Sequence, residues 1–159
     1  MMNLATWFVS KRFSHVQHVD TQNVSDRADD VIVVDARRLD EYEVSHLPNA
    51  KRLHFMSSDQ DLEQFVDEFV RNGGSKDVVC YCSLGYRSAI LTDRLNQIAK
   101  RQGIGGNVRV LNMEGSIFKW ANENRPLFNG SGHSTSQVHP FSYLFSWFLD
   151  PDKRFWPEN

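Results

Sequence analysis

The stretch Asp77-Val78-Val79-Cys80-Tyr81-Cys82-Ser83-Leu84-Gly85-Tyr86-Arg87-Ser88-Ala89 joins an apolar run to a helical pattern through a cysteine. Val78 to Tyr81, bounded upstream by the turn Asn72-Gly73-Gly74-Ser75, reads as a buried strand. Ser88 is placed to cap a helix, because Ala89, Ile90, Leu91, Leu95, Ile98 and Ala99 then recur at helical spacing. Cys82 to Arg87 is therefore expected as a tight loop between a strand's carboxyl end and a helix's amino end.

That placement carries chemistry. A helix amino terminus presents unpaired N–H groups and the positive end of a dipole, which favour an anion such as a thiolate. An adjacent arginine acts in the same direction and makes a cysteine there a candidate nucleophile. Gly85 allows backbone angles that turn several amides toward one point, and Arg87 offers a planar fork of donors for an oxyanion. Cys80 reads differently. It lies two residues back on the same strand face and is expected to be a packed thiol. Extended residues two apart are separated by about 6.6 Å, near the upper limit for a disulfide, so a Cys80–Cys82 bridge is disfavoured.

The 159 residues fit one domain with a substantial core. A net charge of -2 and the lack of a Lys/Arg run argue against nucleic acid as a partner. Two cysteines cannot make a disulfide framework, and no paired metal-ligand spacing occurs, so a reducing, cytoplasmic setting is expected. No apolar stretch approaches the ~18 residues of a membrane span. Met1 to Val19 holds no acid, carries Lys11 and Arg12, and puts Leu4, Trp7 and Phe8 on one helical face. Residues 1–15 are expected to form a helix docked on the domain, with a mitochondrial or other organelle transit peptide as the alternative.

Taken in order, Val16–Val19 reads as a strand and Thr21 as the cap of a short helix ending near Asp29 and Asp30. Val31-Ile32-Val33-Val34 is continuously β-branched, as in a strand covered on both faces, and ends in Asp35-Ala36-Arg37. A helical turn over Leu39–Ser45, a loop through Pro48, a strand over Ala50–Phe55 and a helix over Asp59–Asn72 follow. Val108–Leu111 is expected as the last strand and Ser116–Asn122 as a helix. Alternating strands and helices predict an α/β domain, a mostly parallel central sheet flanked by helices on both faces.

With these blocks in place, the chain resembles the single-domain rhodanese-like family, sulfurtransferases that carry sulfur as a cysteine persulfide. The resemblance rests on Val33-Val34-Asp35-Ala36-Arg37 with Glu41-Tyr42, on Ser45-His46-Leu47-Pro48-Asn49-Ala50, on Tyr81 to Ser88, and on Leu111 to Ile117 with Trp120. It implies the three-layer rhodanese-like fold over residues 16–128. Cys82 would be the persulfide-forming nucleophile, and Ser83, Leu84, Gly85, Tyr86, Arg87 and Ser88 the loop around its sulfur. Asp35, Arg37 and His46 would support that loop or the fold itself. The implied chemistry takes sulfur from thiosulfate or a polysulfide, delivers it to cyanide or a thiol, and needs no metal or organic cofactor. Two departures stand out: Gly115-Ser116 replaces the usual glycine pair, and no basic residue directly follows Cys82.

Two other functions compete with sulfur transfer. Related dual-specificity phosphatases place five residues between Cys and Arg, whereas Cys82 and Arg87 enclose a shorter loop, so phosphatase or arsenate reductase chemistry ranks below sulfur transfer. A non-catalytic docking module is the third reading. Residues 129–137 have the composition of a flexible linker. In the extension over 138–159, Phe141, Leu144, Phe145 and Phe148 predict a short amphipathic helix folded back on the domain, with a protein partner as the alternative use of its aromatics.

Overall fold

The computed structural model describes residues 2–74 and 76–158. Met1 and Asn159, at the ends of the expected terminal segments, and Ser75, in the expected Gly-rich turn, lie outside the described residues. The apolar run is strand β4 (Asp77–Tyr81), buried along its whole length. It occupies the centre of a five-stranded sheet with β1 (His18–Val19), β2 (Val31–Asp35), β3 (Lys51–Arg52) and β5 (Val110–Met113), in the order β1-β5-β4-β2-β3. Every pairing is parallel, and the register sets Val33 beside Val79, Asp35 beside Tyr81 and Cys80 beside Asn112.

Alternation along the strands divides the core into two faces. Val33, Val79, Tyr81, Leu111 and Met113 point to one side, where they meet Val24 of α2 (Thr21–Asp26) and Ile117, Phe118 and Trp120 of α6 (Ser116–Asn122). Val34, Val78, Cys80 and Val110 point to the other. There they meet Leu62 and Phe65 of α4 (Asp59–Phe65) and Leu91, Leu95 and Ile98 of α5 (Tyr86–Arg101). The chain thus has the expected three-layer α/β arrangement, a parallel sheet with helices on both faces. The first helix, α1 (Met2–Arg12), docks through Val9, which packs with Phe13, Val16 and Ala89. No helix among the described residues is long and apolar enough to cross a membrane.

Several expectations are corrected. The cap of α2 is Asp20, whose carboxylate accepts the Asn23 amide at 2.7 Å, while Thr21 lies inside the helix and donates to Glu123. The strand expected over Ala50–Phe55 narrows to β3, and the helix expected over Asp59–Asn72 ends at Phe65 in a wider turn over Val66–Val70. That turn closes with the Arg71 amide on the Val66 carbonyl at 2.9 Å and keeps Val66 and Val70 buried. Val110–Met113 is not the last strand. β6 (Leu127–Phe128) pairs antiparallel with β7 (Ser134–Thr135), so the expected linker is a hairpin. Its polar, Gly-rich composition serves turn geometry, since Asn129 Oδ1 accepts the Ser131 and His133 amides and the Gly130 amide reaches the Glu43 carbonyl.

Among the described residues beyond the hairpin no α-helix forms. Phe145–Phe148 is a single 3₁₀ turn, flanked by prolines at 140 and 151, and Phe141 has a φ of 66°. The segment does fold back, burying Val138 and Leu149 in the core and resting Phe145 and Phe148 against it.

One buried ion pair ties the layers together. Arg37 donates to Asp35 through Nε at 2.9 Å and Nη2 at 2.7 Å, and through Nη2 to the Ser45 carbonyl at 2.7 Å. Tyr81 donates its hydroxyl to the same carboxylate at 2.7 Å and accepts the Leu47 amide at 3.1 Å. Burial works against the Arg37 charge, yet Asp35 outweighs it and raises the guanidinium pKa further; burial likewise raises the Tyr81 hydroxyl well above its ordinary value. Asp35→Asn leaves that guanidinium buried without its charge partner and is expected to cost about 3–5 kcal/mol of unfolding free energy. Urea titration checks this, with Asp40→Asn in the exposed Arg38 pair as a control that changes stability little.

Candidate active site

Strand β4 delivers Cys82 to the sheet's carboxyl edge, where open parallel sheets place their ligands. The chain then turns through Ser83 and Leu84 to Gly85, whose φ of 113° lies in the left-handed region that a side chain rarely adopts. That turn starts α5 at Tyr86, so Ser88 is a buried residue of the first helical turn and not the expected cap. The Gly85 amide donates to the Cys82 sulfur at 3.1 Å. The Ser88 hydroxyl lies 3.4 Å from the sulfur but only 2.6 Å from Asn112 Oδ1, which takes its proton. Asn112 Nδ2 in turn donates to the Gly85 carbonyl at 3.1 Å.

The loop is also held from the opposite side. The amides of Ile117 and Phe118, at the start of α6, donate to the carbonyls of Cys82 at 3.1 Å and Ser83 at 3.2 Å. Ser116, where the family pattern has a second glycine, takes a φ of 49° and accepts the Cys82 amide on its hydroxyl at 3.1 Å. Its proton goes to the Met113 carbonyl. The serine hydroxyl therefore holds the Cys82 amide in place. Gly115 before it has a φ of 70°, and a Cβ there would lie 2.5 Å from Lys119 Cβ, so a side chain at 115 would be strained and would force Lys119 to shift.

Arg87 is placed at the site but its fork is occupied. Nη1 and Nη2 donate to the two oxygens of Glu41 at 2.9 and 2.8 Å, and Nη2 also reaches Ser83 Oγ at 2.9 Å. Glu41, from α3 (Leu39–Val44), is fully buried. Burial would raise its pKa, but the Arg87 hydrogen bonds prevail and hold it below the ordinary carboxylate range. The Arg87 charge is opposed by burial and favoured more strongly by Glu41 and by the nearby Cys82 sulfur, so its pKa is raised. Phe141 closes the other side, with the Arg87 guanidinium 4.4 Å from its ring centre.

The result is a cavity of about 210 Å³ lined by Cys82, Ser83, Leu84, Tyr86, Arg87, Phe141 and Phe145. Loop and tail meet there. Asp35, Arg37 and His46 are not among the lining residues: the first two form the internal ion pair, and His46 stacks on Tyr42 at 3.9 Å and bonds its carbonyl at 2.9 Å. Cys80 is fully buried with its thiol pushed up to about 12 by burial, which makes it a poor nucleophile. Glu41, Asn112, Ser116, Phe141 and Phe145 were not predicted as site residues. Glu41 and Ser116 fall inside the quoted motifs, whereas nothing local marks Phe141 and Phe145.

Comparison with known proteins agrees with the fold. A family model described as the rhodanese-like domain matches residues 19–123. No curated protein matches the chain. Among solved structures, an As-Sb reductase from Leishmania major is similar over 76% of this chain and 92% of its own, at 13% identity and a TM-score of 0.61. A thiosulfate sulfurtransferase from Pseudomonas aeruginosa is similar over 92% of this chain and 26% of its own, at 16% identity and a TM-score of 0.58. A Saccharomyces cerevisiae homolog of single-domain rhodanese and the Cdc25 phosphatase catalytic domain is similar over 69% of this chain and 82% of its own, at 16% identity and a TM-score of 0.57. At such identities these likenesses speak for the fold alone.

The Glu41–Arg87 pair sets a pH dependence. A carboxylate whose folded pKa lies below its ordinary 4.5 contributes stability that is complete above that value and is lost as pH falls through the folded pKa. The stability gap between the wild type and Glu41→Gln is therefore expected to be constant from pH 7 to about pH 5 and to close below it, as read by urea titrations across that range.

Proposed function

The chain belongs to the rhodanese-like domain family, and on that premise we propose that it is a sulfurtransferase carrying sulfane sulfur as a persulfide on Cys82. The observation that carries this reading is the setting of the sulfur: it sits at the amino end of α5, receives the Gly85 amide and forms part of the cavity wall. In the first half-reaction the Cys82 thiolate attacks the outer sulfur of a donor such as thiosulfate or a polysulfide. A bond forms between Sγ and that sulfur, the donor's S–S bond breaks, and sulfite or the shortened polysulfide leaves with the electron pair. The persulfide anion remains in the field of the Gly85 amide and the helix terminus. In the second, cyanide or a thiolate attacks the outer sulfur, and the electron pair of the Sγ–S bond returns to Cys82.

Phosphate or arsenate chemistry is less well supported. An oxyanion bound in the loop would need the donors of Arg87, and both of its terminal nitrogens are already bonded to Glu41. The open cavity beside Cys82 likewise favours turnover over a purely docking role.

Incubation with thiosulfate or polysulfide is expected to add the mass of one sulfur to the intact protein, and cyanide is expected to remove it as thiocyanate. Cys80→Ser should retain both behaviours and Cys82→Ser should lose both. A wild-type protein that takes up no sulfur from either donor would overturn the reading.

A further inference from the structure

The cavity beside Cys82 does not end at the loop. It adjoins a groove of about 550 Å³ between α1 and the tail, walled by Leu4, Trp7 and Phe8 on one side and Phe145 and Phe148 on the other. Leu84, Tyr86 and Phe145 line both spaces, so the groove lies against the cavity that Cys82 lines. Both walls lie outside residues 19–123, the part of the chain that the family model matches. Among the described residues no charged one lines the groove and one cation lines the cavity, Arg87, which is paired with buried Glu41. Apolar walls beside a neutralised pair offer a charged acceptor little to bind and favour hydrocarbon.

We propose that this groove binds the hydrocarbon part of an apolar thiol, alkyl or aryl, whose sulfur accepts the outer sulfur of the Cys82 persulfide. The proposal rests on the sulfurtransferase reading and names its acceptor class. The acceptor thiol loses its proton to solvent and attacks the outer sulfur. A new S–S bond forms, the Sγ–S bond breaks with its electron pair returning to Cys82, and an organic persulfide leaves. Sulfur moves with no external oxidant or reductant. Continuity between groove and cavity selects this ligand over a protein or lipid surface, because one molecule must hold a reactive sulfur at Cys82 and an apolar body beside Trp7 and Phe8.

The test loads Cys82 with sulfur and measures kcat/KM for a series of acceptors from ethanethiol to hexanethiol, with cyanide in parallel. Each buried methylene is expected to raise kcat/KM by about fourfold. Trp7 and Phe8 are 57% and 54% exposed, so Trp7→Ser and Phe8→Ser should leave the fold intact while flattening that dependence. A second readout needs no turnover: hexyl methyl thioether, which cannot accept sulfur, should slow iodoacetamide labelling of Cys82, and less so in Trp7→Ser. A flat thiol series beside normal cyanide turnover, or no protection by the thioether, overturns the proposal and leaves the sulfurtransferase reading standing; such a groove would serve a protein or lipid partner. Failure of Cys82 to load sulfur removes the sulfurtransferase reading and the acceptor proposal with it.

Discussion

The site depends on a loop of a few residues having its backbone held from two directions at once. A tight turn at the end of a buried strand exposes carbonyls and amides that the core cannot leave unpaired. Here the amides that begin α6 take the Cys82 and Ser83 carbonyls, and the turn at Gly85 aims its own amide at the sulfur. The orphan groups of two helix ends and of one loop satisfy one another. Parallel strand order makes this arrangement available, since both helices leave the carboxyl edges of neighbouring strands, β4 and β5. The serine at 116 then exchanges backbone ease for one more bond: its left-handed φ is a strain that glycine would avoid, and its hydroxyl fixes the Cys82 amide.

Charge is organised in the same inward manner. Asp35 with Arg37 and Glu41 with Arg87 are buried pairs whose hydrogen bonds stay within the protein. Neither is worth much as net stability, because desolvation offsets most of the attraction, but removing one partner is costly. Their effect is to fix geometry. Arg37 spans Asp35 and the Ser45 carbonyl, which positions α3, and α3 supplies the Glu41 that holds Arg87 over the loop. A guanidinium so held contributes a wall and a neutralised charge rather than a free anion receptor.

Much of this was legible in the chain. Strand β4, the parallel alternation and Cys82 followed from an apolar run, its helix-period sequel and the glycine between them. The misplaced cap illustrates the limit of local reading: Ser88 is a good capping residue, but a left-handed Gly85 starts the helix earlier and Ser88 is used to orient Asn112. Arg87, expected in the loop with a free fork, lies in the first turn of α5 and bonds Glu41, because the helix starts at Tyr86 and nothing in spacing reveals a contact with another helix. The hairpin over the expected linker and the 3₁₀ turn in place of the expected helix have a shared cause. Both segments take their form from what they pack against, and composition alone cannot report that.

The tail also bears on why Phe141 adopts a backbone conformation foreign to a bulky residue. A φ of 66° at an aromatic residue costs about 1–3 kcal/mol, and it persists only where its surroundings over-determine it. Two guanidiniums supply that constraint: Arg87 lies 4.4 Å and Arg38 5.7 Å from the ring centre. Cation–π attraction of about 0.5–2 kcal/mol offsets a good part of the strain. Phe141 is in this way fastened to the same arginine that Glu41 fastens to α3, so Arg87 ties the tail, the loop and α3 together. An extension held at such expense over Cys82 is a wall of the cavity, and under the proposed function a wall built from aromatic rings would sort what reaches the sulfur by its hydrocarbon rather than by its charge.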